Sequence, residues 1–107
     1  MDVNSESLTP AVFHILLALT EGERHGYAIQ QTVAQDTDGK LSMGPGTLYG
    51  TLKRLLEAGL VEEAGESERR RYYRITSSGQ AAVRGETERL VRLVQVAQGR
   101  KVLEARS

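Results

Sequence analysis

The segment Leu41-Ser-Met-Gly-Pro-Gly-Thr-Leu-Tyr-Gly-Thr-Leu-Lys-Arg-Leu-Leu-Glu-Ala-Gly-Leu-Val61 constrains this chain more than any other. Gly44 and Pro45 mark a helix start, because proline is pre-set for the first helical turn and its missing N–H is not needed there. Leu48, Leu52, Leu55 and Leu56 then fall on one side at helical spacing. At about 100° per residue, the opposite face carries Gly46, Thr47, Gly50, Lys53 and Arg54, with Tyr49 at its flank. Gly59 ends the helix. One side must pack against a core and the other stays open.

A basic segment follows at once. Residues 60–64 and 69–75 read as strands around a polar turn, Gly65-Glu-Ser-Glu68. In the second strand Arg71, Tyr73 and Ile75 alternate with Arg70, Tyr72 and Arg74, and the side holding Ile75 is expected to face the core. A short amphipathic helix leading into a basic hairpin is the layout of a winged helix.

The flanking segments agree. Residues 8–20 read as a mostly buried helix, with Thr9 as N-cap, Pro10 at its first position and Gly22 as its stop. Arg24 to Thr37 gives weaker helical spacing through Tyr27, Ile29 and Val33, and Gly39 ends it. Thr76 or Ser77 caps a long final helix running to about Leu103. Its apolar stripe includes Val83, Leu90, Val94 and Ala97, and no later segment follows to cover it. A second copy of the chain is the simplest cover; folding back onto the first helix is the alternative. The fold class is therefore mainly α with a small β-hairpin: a winged helix-turn-helix plus a long C-terminal helix.

Charge becomes informative only when it is located. Net charge is zero over 107 residues, but the first third is acidic and the positive charge lies beyond it, densest at Arg69-Arg70-Arg71. A groove-entering helix needs close backbone approach and side chains that bond phosphates and base edges. Gly46 and Gly50 allow that approach, Thr47 and Thr51 can bond bases or phosphates, and Tyr49 can hold a phosphate or pack on sugar. Lys53 and Arg54, further along, suit the phosphate backbone. Arginines at a hairpin tip suit the adjacent minor groove or its phosphates, although a charged strand edge also discourages aggregation. Glu62, Glu63, Glu66 and Glu68 lie near those arginines and oppose them.

Other chemistries find no support. There is no cysteine, and two histidines do not form a familiar metal site. His14 reads as a core or interface residue and His25 as a helix-start residue. No nucleophile elbow, P-loop or dinucleotide fingerprint is present. No enzyme activity, cofactor or metal is expected. The first six residues lack a signal-peptide pattern and no apolar run reaches membrane-span length, so a cytoplasmic protein is expected.

The residues His25-Gly26-Tyr27, then Gly46-Thr47-Leu48-Tyr49 with Leu52, Arg54 and Leu55, then Gly59-Leu60-Val61, and finally Arg70-Arg71-Tyr72-Tyr73-Arg74-Ile75-Thr76 with Gly79, resemble the PadR family of bacterial transcriptional regulators in order and spacing. The likeness covers about residues 8–80. It implies a winged-helix domain, a helix-mediated homodimer and repression through an inverted repeat, relieved in some members by a small-molecule effector. The single C-terminal helix is similar to the family's short subgroup. By that resemblance Thr47, Tyr49, Lys53 and Arg54 match the DNA-reading helix and Arg69, Arg70 and Arg71 the wing. Gly50 stands where the family often has proline, and the last helix has no Trp on which a flat ligand could stack. The expected organisation is a DNA-binding domain over residues 1–76 and a dimerisation helix over 77–107, acting on double-stranded DNA and not on membranes. Two rivals remain: a winged helix used for protein–protein contact, and a ligand-sensing dimer with weak DNA binding.

Overall fold

The computed structural model describes residues 8–104; the ends of the two expected domains, 1–7 and 105–107, lie outside the described residues. The order is α1 (Pro10–Leu19), β1 (Arg24–His25), α2 (Gly26–Asp36), α3 (Pro45–Glu57), β2 (Val61–Ser67), β3 (Arg70–Ile75) and α4 (Ser77–Gly99). The three strands form an antiparallel sheet ordered β1-β3-β2.

Local signals set the helix starts. Thr9 accepts a hydrogen bond from the Val12 N–H at 3.3 Å and Pro10 opens α1. Gly44 and Pro45 open α3. Thr76 accepts from the Gly79 N–H at 3.1 Å to open α4, and its hydroxyl donates to the Gly59 carbonyl at 2.6 Å. One threonine thus joins the stop of α3 to the start of α4. Caps of this kind contribute about 1 kcal/mol each.

The core gathers Ile15, Leu16 and Leu19 of α1, Ile29 and Val33 of α2, Leu48, Leu52 and Leu55 of α3, Leu60 and Val61, Tyr73 and Ile75 of β3, and Ala82 and Val83 of α4. Each large apolar side chain so buried contributes roughly 1.5–3 kcal/mol. The expected leucine stripe of α3 is buried except for Leu56, which is half-buried.

Three expectations are corrected. The second segment does not begin as a helix: Arg24 and His25 form a short strand against Tyr73 and Tyr72, and α2 starts only at Gly26. The hairpin is longer than expected, and its turn is Glu68-Arg69, not Gly65 to Glu68. Both turn residues adopt left-handed φ, 53° and 67°, the geometry that matches strand twist across a two-residue loop. Gly65 instead sits at a register irregularity after Glu63, with φ 113°. Finally, α4 stops at Gly99 rather than near Leu103, where Arg100 and left-handed Lys101 turn the chain and the Val102 N–H donates to Ala97 O.

Candidate nucleic-acid interface

The solvent face of α3 is built by the burial of its other face. With Leu48, Leu52 and Leu55 in the core, Gly46, Thr47, Tyr49, Gly50, Lys53 and Arg54 are all exposed. A Cβ at Gly46 or Gly50 would meet no atom within 4 Å. Nothing in the fold therefore requires glycine at either position, and the helix presents bare backbone there. Thr51, expected with this group, is buried. It follows Leu48 by three positions and precedes Leu55 by four, so it shares their face; its hydroxyl donates to Thr47 O at 2.7 Å and accepts from Arg54 at 3.4 Å.

The wing stands beside this face. Glu62 and Glu63 do not neutralise the arginine cluster as a whole. Arg74 takes Glu62 at 3.2 Å and Glu23 at 2.8 Å, and Arg71 takes Glu63 at 3.4 Å. All these side chains are about half exposed, so each pair contributes little to stability. Among the described residues, Arg69 and Arg70 pair with no carboxylate. Arg69 lies in the turn itself and Arg70 starts β3.

Between α3 and the wing lies an open cleft of about 380 Å³. It brings Tyr49 together with Arg69, Arg70 and Arg71, joining helix and wing residues that are far apart in sequence. Its wall also contains His25, Gly26 and Tyr27, which the sequence places in a helix start and in the PadR-like motif but not among the DNA-binding residues. Tyr27 is 58% exposed. The signal for them in the sequence is their place at a helix start: His25 is the N-cap and Gly26 and Tyr27 the first residues of α2. His25 caps α2, its Nδ1 accepting from the Ala28 N–H at 3.2 Å, and its ring packs edge-on against Tyr72. Burial, and then the neighbouring Arg70, lower its pKa below the usual 6.5. Burial also pushes the Tyr73 phenol at the cleft floor upward. Lys53 and Arg54 lie outside the cleft, further along α3.

The expected dimerisation residues divide. Val83 is only 7% exposed and belongs to the core of its own chain. Leu90 and Val94 are exposed, with Val91, Leu93 and Val96 beside them, and Ala97 is half-buried. The first turns of α4 thus pack against α1 and β3, while its second half carries an apolar surface with no cover among the described residues. Among those residues no helix is long and apolar enough to cross a membrane.

A family model described as "Transcriptional regulator PadR-like family" matches residues 15–85. The chain is 38% identical over 79 residues to an uncharacterized 37.1 kDa protein in transposon TN4556 of Streptomyces fradiae, a match covering 74% of this chain and 22% of that protein. The chain therefore spans less than a quarter of this curated relative's length. The fold is similar to a transcriptional regulator from Clostridium thermocellum, with a TM-score of 0.71 and 30% identity over 83% of this chain and 87% of that one. It is also similar to Bacillus subtilis PadR in complex with operator DNA, with a TM-score of 0.60 and 24% identity over 69% of this chain and 44% of that one.

Proposed function

The chain belongs to the PadR-like family of transcriptional regulators, and from that membership we propose that it is a homodimeric repressor that binds an inverted repeat in double-stranded DNA. The observation that carries this is the bare face of α3: Gly46 and Gly50 leave backbone exposed with no packing reason, flanked by Thr47, Tyr49, Lys53 and Arg54. In this reading α3 enters the major groove, and Thr47 and Tyr49 meet base edges, sugar or phosphate. Lys53 and Arg54 hold the phosphate backbone. Arg69, Arg70 and Arg71 reach the adjacent minor groove or its phosphates.

The chain divides by role into a DNA-binding unit, residues 1–76, and a dimerisation segment, 77–107, whose helix is α4. Leu90, Val94 and Ala97 form the interface with the second copy, without Val83. Two α3 helices then sit about one DNA turn, roughly 10 base pairs, or a multiple apart. The protein acts in the cytoplasm, and a small-molecule effector relieving repression fits the same architecture. The rival protein-docking reading, with the acidic Glu62 to Glu68 facing a basic partner, has two of its carboxylates in ion pairs, Glu62 with Arg74 and Glu63 with Arg71.

The test is a fluorescence-anisotropy titration onto DNA from upstream of the protein's own gene, against scrambled DNA, at two salt concentrations. A preference of about a thousandfold with strong salt sensitivity is expected. Equal weak binding to both duplexes, with no operator found elsewhere in the genome, would refute the proposal.

A further inference from the structure

The major and minor grooves of a duplex are divided by a sugar–phosphate strand. A helix seated in the major groove and a hairpin reaching the adjacent minor groove therefore stand on either side of that strand. In this fold the space between helix and hairpin is the open cleft, with Tyr49 of α3 among its lining residues and Arg69 and Arg71 of the wing facing the same space. Part of the lining comes from the start of α2. β1 pairs with β3, His25 opposite Tyr72, and the two rings pack edge-on with centroids 5.4 Å apart. The Tyr49 phenol rests over Gly26. The first turn of α2 is thus fastened to the wing through the sheet and to α3 through that contact. Tyr27, the next residue, is held in the cleft wall.

More than half of Tyr27 is exposed there, so the core does not account for its phenol. A ring with a hydroxyl at its tip, set beside arginines, has the chemistry of an interface contact. Glu66 is the one carboxylate among the lining residues, against three arginines. Arg71 is paired with Glu63, while Arg69 and Arg70 pair with no carboxylate among the described residues. The cleft therefore favours an anion, and tyrosine hydroxyls bond phosphate oxygens as arginines do. We propose that the cleft straddles one sugar–phosphate strand of bound DNA and that the Tyr27 hydroxyl donates to a phosphate oxygen of that strand. The inference rests on the DNA-binding reading and deepens it, because α2 joins α3 and the wing in the interface. An uncharged donor positions the strand without adding to the salt dependence of binding.

The substitution Tyr27→Phe removes the hydroxyl and keeps the ring; Tyr27→Ala removes both. The side chain is exposed, so both variants should retain the wild-type melting temperature. They are titrated with the wild type onto a duplex that the wild type binds, onto scrambled DNA, and onto copies of the first carrying single methylphosphonate replacements along each strand. Tyr27→Phe should bind the intact duplex about five- to tenfold more weakly, the loss expected for one hydrogen bond to a charged acceptor. The same factor should be lost on scrambled DNA, because a phosphate contact carries no sequence information. The slope of log K against log salt should stay unchanged, whereas Arg69→Gln should flatten it by about one unit. At one phosphate the methylphosphonate should cost Tyr27→Phe about five- to tenfold less than it costs the wild type, since the bond it breaks is already gone.

If the wild type binds the duplex and Tyr27→Phe matches it in affinity and at every backbone position, the contact is refuted while the DNA-binding proposal stands. A loss with Tyr27→Ala but none with Tyr27→Phe would assign the ring to packing on sugar and overturn the hydroxyl's role. A loss with Tyr27→Phe confined to one base pair, with no coupled phosphate, would overturn it too. If the wild type binds no duplex, this inference and the DNA-binding proposal fall together.

Discussion

The phenol of Tyr49 on α3 lies over Gly26 at the start of α2. A Cβ at Gly26 would meet Tyr49 Oη and stand 2.8 Å from Tyr49 Cζ. Gly26 is thus the floor on which an exposed interface tyrosine rests. Its backbone φ is not positive, so alanine would be tolerated except for that contact. Gly26→Ala should swing Tyr49 outward and cost under about 1 kcal/mol of stability, since the obstructing group is the end of a movable side chain. DNA affinity should fall roughly fivefold, about 1 kcal/mol, as in Tyr49→Ala. Anisotropy titrations of the two variants and their combination check this: the combined loss should match either single one. Additive losses would separate the two residues.

Gly79 is the opposite case. A Cβ there would collide with the Leu60 carbonyl oxygen and lie 2.7 Å from Ile75 Cγ1, where backbone cannot step aside. Gly79→Ala should destabilise by about 1–3 kcal/mol, read as a lower midpoint in urea. An unchanged midpoint would mean that α4 can shift away from Leu60 and Ile75 without loss.

Gly50 should show stability and function moving in opposite directions. Gly50→Ala adds a methyl in open space on α3 and should stabilise the fold by about 0.5–1 kcal/mol. It should also weaken DNA binding by holding the helix backbone off the duplex. Melting curves and titrations on one preparation test both signs.

Along α3 the cations and the hydroxyl should separate by salt and by sequence. Lys53→Ala should weaken binding to every duplex alike and flatten the salt slope by about one unit. Thr47→Ala should relax discrimination at a particular position. A loss from Lys53→Ala confined to one base pair would contradict its backbone role.

Glu86 gives a pH dependence. It is only 6% exposed, and Arg89 donates to both its oxygens, at 3.0 and 2.6 Å. Those hydrogen bonds, against the opposing effect of burial, hold its pKa below the ordinary 4.5. A depressed carboxylate stabilises the fold above its unfolded-state pKa, and that stabilisation is lost as pH falls through the folded value. Glu86→Gln should therefore lose stability at neutral pH and show a shallower decline on acidification, measured by urea unfolding at pH 7 and at about pH 4. Parallel curves for variant and wild type would remove Glu86 from the acid limb.

Much of the fold was legible because its signals are local. Thr9-Pro10, Gly44-Pro45 and Thr76 open helices through hydrogen bonds and φ restraints that span three residues. The leucines of α3 declare their buried face by spacing alone, and that assignment left Gly46, Thr47, Gly50, Lys53 and Arg54 outside, where they lie. The errors fell where a partner decides. Arg24 and His25 form a strand only because β3 offers them an edge, and two residues carry no periodicity. Glu68-Arg69 turns because register places it at the tip, although neither residue type favours left-handed φ. Val83 follows the same spacing as Leu90 and Ala97, and only the position of α1 and β3 put it in the core.

The helices, the basic hairpin and the exposed face of α3 are encoded locally, since propensity, capping and amphipathic period act within a few residues. Which of Arg69, Arg70, Arg71 and Arg74 are paired, and how much of α4 stays uncovered, follow from chain packing. It also decided that His25 and Tyr27 face the same cleft as Tyr49 and the wing. Those relations join segments separated by tens of residues, and only chain packing fixes the distances between them.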